Sequence, residues 1–335
     1  MKKYFLSFLA FAVLAATALM VACTDHVEPI PEPTQFSVSG FTGGLHFPIG
    51  LVVDEKGQLW VSEAGTGNND GAVVMITPGG VKTTVLSGFK SSSSPEGGPE
   101  GISHMYYENG TLYVLHGVEG LLYIVDVSNF DAGDPPLAKN LVPTENIADF
   151  VLTQNLTNPL NSNPYSLTKG PDGHLYIADA GANAIIKRDK DTKMLSVFAK
   201  IPGPAPTTDA VPTGIVFDGS KFLLSTLTGF PFAPGAASIF QVTPAGQVSP
   251  YKTGFTTLTH LTLTANNKPL VLHFANFAPP PGPPVGFVPG TGSILNEDGM
   301  TLLSGLNMPT DIKRSGDRTF YVLSYFDGTI QKLSY

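Results

Sequence analysis

Three short apolar runs of this chain end in a side chain that can take part in chemistry. Glu63 closes the run LWVSE, His116 closes LYVLH and Asp179 closes LYIAD. Carboxylate oxygens suit Ca²⁺, which takes roughly six to eight oxygen ligands, and an imidazole would also admit Zn²⁺ or Mn²⁺. A bound cation would polarise a carbonyl oxygen while a carboxylate or the imidazole activates water. We therefore predict Glu63, His116 and Asp179 as catalytic candidates.

These three residues belong to sets that occupy equivalent places in six sequence repeats. The residues at the end of the second apolar run are Glu63, His116, Asp179, Thr226, Phe274 and Ser324. The residues that follow the opening residue of each repeat are Ile49, Glu100, Tyr165, Thr213, Thr259 and Thr310, with Asn163 and Asp311 close to their level. We predict that a divalent cation such as Ca²⁺ is held by Glu63, Glu100, Asn163 and Asp179. The alternative is structural, because acids at strand tips also accept hydrogen bonds from backbone amides.

An aromatic segment lies in the fourth repeat. Phe230-Pro-Phe-Ala-Pro is apolar and stiff, which predicts either an aromatic rim around an organic ligand or a loop plugged into one face of the protein. The predicted ligand-binding residues are Tyr165, Thr213, Thr226, Phe230 and Phe232. His104, His260 and His273 are scattered along the chain, and we predict that they are packed or surface histidines.

Short strands must position these side chains. A turn residue, an apolar run, a tight turn and a second apolar run recur about every 50 residues, which is typical of a repeat architecture. The copies open at Pro48, Pro99, Pro164, Pro212, Leu258 and Pro309. With 36 Gly and 29 Pro but no helical periodicity, the pattern predicts an all-β fold, a six-bladed β-propeller of four-stranded antiparallel blades over residues 35–335. A seventh blade would require residues 131–161, which we do not expect to form one.

The two ends of the folded body predict how the ring closes. The sixth repeat stops after its third strand, whereas Gln35-Phe-Ser-Val-Ser precedes the first repeat without a blade of its own. We expect this N-terminal strand to pair with the last blade and remove an exposed edge. Three insertions interrupt the repeats: Lys90–Gly98, Phe130–Asn161 with a short helix expected around Glu145–Leu156, and the Pro-rich Ala278–Gly292.

The N-terminus reads as an export signal. Lys2 and Lys3 precede an apolar run over residues 4–18, and small residues lead into Cys23, the single cysteine of the chain. The pattern resembles a bacterial lipoprotein signal over residues 1–22, with Cys23 lipidated and residues 23–34 forming a Pro-rich tether. The alternative is an ordinary signal peptide that happens to end in Ala-Cys. We expect an exported protein, anchored by lipid in the cell envelope.

Net charge and composition limit the classes of partner that the chain could bind. The net charge is −8 and no cluster of Lys or Arg occurs, so we predict no nucleic-acid partner. Beyond residues 1–22 no stretch is long and apolar enough to span a membrane. We expect a monomer whose membrane contact is made through Cys23.

Several segments resemble a known family. Leu224–Ile239 is similar to the signature segment of the ScyD/ScyE family of propeller proteins, and Ser162–Ser166, Ala178–Asn183, Val61–Gly65 and Val211–Gly214 agree. The similarity covers most of residues 41–255. The repeat also resembles, more distantly, NHL-type propellers and gluconolactonase-like hydrolases, which hold a divalent cation at the channel mouth. In that comparison Glu100 looks like the acidic ligand near the start of a blade.

Two classes of function remain open at this point. The first is a binding or scaffold module that takes a small molecule, glycan or protein at the channel mouth. The second is a divalent-metal-dependent lactonase or esterase that resembles the gluconolactonase-like propellers. The fold hosts both classes and cannot decide between them. We predict the binding module, with the hydrolase as the alternative, because Thr226, Phe274 and Ser324 leave the ring of chemically active residues incomplete.

Overall fold

The computed structural model describes residues 29–94, 97–281 and 286–335. Glu32–Tyr335 forms one compact unit. Its main sheets are six four-stranded antiparallel blades, and the inner strand of each blade contacts the inner strands of the two neighbouring blades all the way round the ring. The predicted six-bladed β-propeller is therefore confirmed.

The first three blades follow the chain from the inner strand outward. Blade 1 contains Pro48–Val53, Leu59–Glu63, Gly71–Ile76 and Lys82–Phe89. Blade 2 contains Ile102–Glu108, Thr111–His116, Leu121–Asp126 and Thr144–Asn146. Blade 3 contains Pro164–Lys169, Leu175–Asp179, Ala184–Arg188 and Leu195–Lys200.

The other three blades complete the ring. Blade 4 contains Pro212–Phe217, Phe222–Thr226, Ala237–Val242 and Val248–Phe255. Blade 5 contains Leu258–Leu263, Pro269–His273, Gly292–Asn296 and Thr301–Leu306. Blade 6 contains Pro309–Gly316, Thr319–Ser324 and Thr329–Ser334, and its outer strand is the N-terminal Ser37–Thr42.

The ring closes by pairing the first strand with the last. Ser37–Thr42 runs antiparallel to Thr329–Ser334, with Val38 opposite Leu333. The pairing satisfies a strand edge that would otherwise be open to other chains. The expected closure of the ring is thus confirmed.

The core consists of side chains packed between adjacent blades. Trp60 and Met75 of blade 1 share one buried cluster with Val114 and Val125 of blade 2. Strands of this kind are buried on both faces, so their sequences read as continuous apolar runs rather than as an alternation.

The insertions add small elements at the edges of the blades. Within the second insertion, Thr144–Asn146 supplies the outer strand of blade 2, and a short helix, α1, follows at Ile147–Thr153. Asn146 caps α1 by accepting a hydrogen bond from the backbone N–H of Asp149 at 2.9 Å. A 3₁₀ turn at Lys139–Leu141 precedes them.

Two additional hairpins belong to no blade. Ser92–Ser93 pairs with Pro99–Glu100, and Phe277–Ala278 pairs with Gly286–Phe287. Both lie in or beside the insertions that the sequence marks as interruptions of the repeat.

The predicted signal segment, Cys23 and residues 24–28 of the tether lie outside the described residues. Among the residues that are described, no helix has the length and apolarity needed to cross a bilayer. The export signal and the lipid anchor therefore remain predictions.

Candidate binding site at the channel mouth

Each inner strand begins with an irregularity in its pairing. The register with the second strand shifts within the first residues of the inner strand in all six blades. The residues just inside this shift are Ile49, Ser103, Tyr165, Thr213, Thr259 and Thr310. A bulge turns a side chain away from regular pairing, and five of these six residues line a cavity at one end of the ring.

Blade 2 departs from the alignment predicted by its sequence. The repeat pattern predicts Pro99 as the opening residue, but the residue opposite the tip residue His116 is Ile102. Pro99 and Glu100 pair instead with the short strand Ser92–Ser93. The equivalent of Ile49 is therefore Ser103, although Glu100 still reaches the cavity wall from its hairpin.

Threonine hydroxyls tie the mouth ring together. Thr213 donates through Oγ1 to the carbonyl oxygen of Leu258, Thr259 donates to that of Pro309, and Thr310 donates to that of Pro48, each at 2.8 Å. Each bond joins one blade to the next. Thr213, predicted as a ligand-binding residue, thus lines the cavity while its hydroxyl proton is engaged within the protein.

The cavity measures about 670 Å³ and is strongly aromatic. Eight aromatic residues line it: Phe47, Tyr165, Phe230, Phe232, Phe274, Phe287, Tyr325 and Phe326. Ligand sites of similar volume are typically concave and apolar, with a few polar groups that fix orientation. The sequence predicts Tyr165, Phe230 and Phe232 as ligand-binding residues, and the structure brings all three to this wall.

One side of the cavity is a contiguous group of aromatic rings. The ring centroid of Phe232 lies 5.0 Å from that of Phe287, which in turn lies 5.0 Å from that of Phe274. The hairpin of the Pro-rich insertion supplies Phe287 and also Phe277, whose centroid is 4.8 Å from that of Phe232. Phe230 forms the rim and is 65% exposed. Such edge and tilted contacts stabilise the wall in one arrangement.

Polar side chains are the minority of the cavity wall. Glu100 and Asn163 line it, and Tyr325 closes one side by donating its hydroxyl to the carbonyl oxygen of Pro99 at 2.6 Å. Burial raises the pKa of both Tyr165 and Tyr325, so both phenols are neutral at physiological pH.

The two predicted acidic tip residues hold turns together. Glu63 Oε1 accepts the backbone N–H of His46 at 2.9 Å. Asp179 accepts the hydroxyl of Ser162 at 2.6 Å and the backbone N–H of Asn163 at 2.7 Å. Burial raises the pKa of both carboxyl groups, an effect that the accepted hydrogen bonds oppose. Neither residue lines the cavity.

The imidazole predicted to be catalytic is likewise engaged. His116 Nδ1 accepts the N–H of Glu119 at 3.1 Å, so the proton resides on Nε2, which lies 2.9 Å from the carbonyl oxygen of Lys90. Burial lowers the pKa of His116. His116 is fully buried and does not line the cavity.

Two further residues predicted at strand tips, Thr226 and Phe274, are also not placed as ligands of a cation. Thr226 accepts the N–H of Ser238 at 3.0 Å and does not line the cavity. In blade 5 the residue opposite Leu258 is His273, so the tip residue is His273 rather than Phe274. Phe274 is the next residue along the chain and belongs to the aromatic wall instead.

A second polar cluster fills the interior of the ring. The rings of His104 and His260 stack at a centroid distance of 4.6 Å with an interplanar angle of 8°. Asp311 Oδ1 lies 3.2 Å from His260 Nε2 and 3.2 Å from Lys313 Nζ. Asp311 Oδ2 accepts the N–H of Leu51 at 2.7 Å. Among the described residues, His104, His260 and Asp311 form the single group of three metal-ligating side chains whose ligand atoms lie within 4.8 Å of one another.

The geometry of this channel cluster does not fit a metal ion. Two parallel stacked imidazoles cannot both direct their in-plane lone pairs at one point. Lys313 Nζ also lies 2.8 Å from His260 Nε2 and occupies the lone pair that a metal would need. Burial and the positive charge of Lys313 hold the pKa of His260 well below its usual range. His104, His260 and Asp311 are all buried among the closely packed inner strands.

Glycines allow the inner strands to approach so closely. A Cβ at Gly50 would lie 2.7 Å from the Cα of His104, and one at Gly214 would lie 2.7 Å from the backbone nitrogen of Leu261. Side chains at these two positions would force the inner strands apart.

The residues predicted to bind a cation are also not gathered into one coordination shell. No group of three His, Cys, Asp or Glu ligands within 4.8 Å contains Glu63, Glu100 or Asp179 in the described parts of the chain. Glu100 and Asn163 offer three side-chain oxygens at the mouth, whereas Ca²⁺ takes roughly six to eight, so the ion would need the remainder from backbone carbonyls or water. The predicted metal role stays a prediction.

Comparison with known proteins gives the fold and no family. No family model matches the chain, and no curated protein matches it. Membership of the ScyD/ScyE family therefore stays a prediction. Solved structures do match. One described as a putative gluconolactonase has 14% identity over 93% of this chain and 96% of its own, with a TM-score of 0.54.

Two further structures share the architecture. A catalytically inactive virginiamycin B lyase from Staphylococcus aureus, crystallised with quinupristin, has 14% identity over 90% of this chain and 100% of its own, with a TM-score of 0.51. A structural genomics protein of unknown function from Bacteroides thetaiotaomicron has 12% identity over 89% of this chain and 76% of its own, with a TM-score of 0.58. Identities this low show a shared fold alone.

Proposed function

We propose that this protein is a binding propeller that takes a small organic molecule with an apolar, ring-containing body at the mouth of its channel. The observation that carries the proposal is the cavity of about 670 Å³ walled by eight aromatic side chains. Large aromatic surface that remains open to solvent is costly for a soluble domain and is typical of ligand sites.

The site is built on a rigid frame. Tyr165 and Thr213 come from inner strands, which are fixed by pairing on one side and by bonds to the next blade on the other. The hairpin that carries Phe277 and Phe287 is an addition to this frame, since it belongs to an insertion. A fixed floor with an inserted aromatic wall gives a common fold a particular ligand specificity.

A neutral fluorescent ligand tests the proposal. N-phenyl-1-naphthylamine becomes bright in apolar surroundings, and we expect saturable binding to a single site of the full chain. Phe232→Ala should weaken that binding about tenfold, because it removes ring contacts worth about 1.5 kcal/mol. Leu141→Ala is the matched control, since Leu141 is apolar and 77% exposed but does not line the cavity. Non-saturable binding, or equal loss in both variants, would contradict the proposal.

A metal-dependent lactone or ester hydrolase is the second candidate. The likeness to a putative gluconolactonase and the presence of Glu100 and Asn163 at the mouth favour it. A divalent cation there would act as a Lewis acid on a carbonyl oxygen. The engagement of Glu63 and Asp179 by backbone amides counts against it. Hydrolysis of a lactone panel that is abolished by a chelator and by Glu100→Gln would favour this candidate over the first.

We also propose that the protein is exported and anchored through Cys23. The proposal rests on the sequence of residues 1–22 alone. Growth with radiolabelled palmitate should label the wild-type chain and leave Cys23→Ala unlabelled and released from the membrane fraction. Labelling of both the wild type and the variant, or of neither, would overturn the proposal that Cys23 is the lipid anchor.

A further inference from the structure

The mouth cavity has a single charged side chain among the described residues that line it. That side chain is Glu100, and the same wall contains no Lys, Arg, His or Asp. The rest of the wall is aromatic, aliphatic or neutral and polar. The one charged side chain among the described lining residues is therefore an acid.

Glu100 is positioned by a small structure of its own. The hairpin of Ser92–Ser93 and Pro99–Glu100 brings it to the cavity outside the regular blade. The hydroxyl of Tyr325 fixes this hairpin by donating to the carbonyl oxygen of Pro99. Burial raises the pKa of Tyr325, and the neighbouring Tyr165 and the carboxylate of Glu100 raise it further, so Glu100 lies near enough to the Tyr325 hydroxyl to act on it electrostatically.

Aromatic faces and a carboxylate favour the same kind of ligand. The face of a Phe or Tyr ring carries negative potential and attracts cations within about 6 Å of its centre. A soft organic cation loses little hydration when it enters such a site, whereas a small metal ion requires several more oxygen ligands than Glu100 and Asn163 provide. An anionic ligand would face unfavourable charge from the carboxylate and from the ring faces alike.

We infer that the ligand of the mouth cavity is an organic cation, a protonated or quaternary amine whose apolar body packs on Phe232, Phe274 and Phe287 while its charge lies beside Glu100. This inference rests on the proposed binding function and narrows it to one chemical class. The net charge of −8 on the chain also favours the approach of a cation.

Two probes of equal shape separate charge from shape. Benzyltrimethylammonium carries a quaternary nitrogen, and neopentylbenzene has a carbon atom in its place. Dissociation constants are measured by saturation-transfer NMR on the full chain for the wild type, Glu100→Gln and Glu55→Gln. Glu55 is the matched control, because it lies in the turn at the opposite end of blade 1 from Glu63 and its substitution removes the same charge.

We expect the cation to bind wild-type protein at least about tenfold more tightly than its neutral isostere. Glu100→Gln should abolish this preference while keeping the affinity for the neutral probe, and Glu55→Gln should retain the preference. Equal affinity of both probes for the wild type would overturn the inference and leave the proposed function intact. Saturable binding of neither probe would overturn both.

A competition with metal and a second variant complete the test. Displacement of the cation by excess CaCl₂ in the wild type but not in Glu100→Gln would assign the carboxylate to a metal and overturn the inference. If Glu100→Gln does not fold, Phe232→Ala replaces it. This variant should weaken the binding of both probes, and unchanged affinity for the cation would then overturn the assignment of the site.

Discussion

The mouth and the interior of the same channel use opposite means to surround a central space. At the mouth, bulged residues and inserted hairpins leave about 670 Å³ open behind a wall of aromatic rings. One layer inside, His104, His260 and Asp311 fill the space and are at most 2% exposed. Among the described residues, the metal-ligating side chains that lie close together belong to the closed layer, whereas the open layer is walled by aromatic rings with Glu100 as its charged group.

The largest expected effect comes from breaking the interior. Asp311→Ala would leave the N–H of Leu51 without its acceptor and Lys313 without its counter-ion. Removing one partner of a buried charged cluster costs about 3–5 kcal/mol. We expect the free energy of unfolding in urea to fall by that amount. Asp317→Ala, in the exposed turn of the same blade, is the control and should change it by less than about 0.5 kcal/mol.

A similar loss in Asp317→Ala would show that blade 6 is fragile as a whole. No loss in Asp311→Ala would show that the interior cluster contributes nothing to stability.

The next effect concerns an acidic residue at a strand tip. Asp179→Ala removes the acceptor of Ser162 Oγ and of the N–H of Asn163, and we expect a loss of about 1–3 kcal/mol from the free energy of unfolding. The loss should be the same in Ca²⁺ and in chelator. A melting temperature that Ca²⁺ raises in the wild type but not in Asp179→Ala would instead identify a ligand of the cation.

The interior should also make stability sensitive to acid. Burial lowers the pKa of His104 and His260 in the folded protein, so below about pH 6.5 the unfolded chain binds protons that the folded chain does not. Stability should therefore be complete above that pH and fall as the pH decreases. Each such histidine contributes a slope of up to about 1.4 kcal/mol per pH unit.

His260→Gln tests this slope against the other buried histidines. Burial also lowers the pKa of His116 and His273. The variant should therefore keep part of the slope of unfolding free energy against pH and lose the part that one proton contributes. Unfolding free energies measured from about pH 7.5 to about 5.5 give both slopes. Identical slopes in the wild type and the variant would show that His260 does not contribute to the pH dependence of stability.

The smallest expected effect is at Thr226. Its hydroxyl accepts the N–H of Ser238 and donates to the carbonyl oxygen of the same residue, so Thr226→Ala should cost about 1 kcal/mol of unfolding free energy. It should leave the affinity for N-phenyl-1-naphthylamine unchanged, because Thr226 does not line the cavity. A tenfold loss of affinity would return Thr226 to the binding site predicted from the sequence.

The fold could be predicted from the sequence because each blade repeats one local pattern. Turn residues and paired apolar runs recur often enough to set the number of blades and the closing strand, and both are confirmed. The predicted alignment of blade 2 is wrong by three residues because Pro99-Glu-Gly101 imitates the opening of a repeat. Only long-range pairing reveals that Ile102 takes the position opposite His116.

The candidate site could be predicted only in part, because its residues come from irregular segments as well as from the repeats. Tyr165, Phe230 and Phe232 follow from their place in the repeats and in an apolar segment, and they do line the cavity. Stacking of His104 on His260 could not be foreseen, since the shifted alignment put these residues at different depths of the channel. Phe274 was predicted as a strand tip and Tyr325 was not predicted at all, because the residue after a strand tip carries no distinguishing signal in the sequence.

We propose that the mouth binds the ligand and that the interior cluster stabilises the ring around it. The most direct test is the dissociation constant of N-phenyl-1-naphthylamine for Phe232→Ala and for His260→Gln, measured at a temperature where both variants are folded. We predict about a tenfold weakening for Phe232→Ala and a change within about twofold for His260→Gln. The reverse order would place the ligand in the interior of the channel and contradict the account.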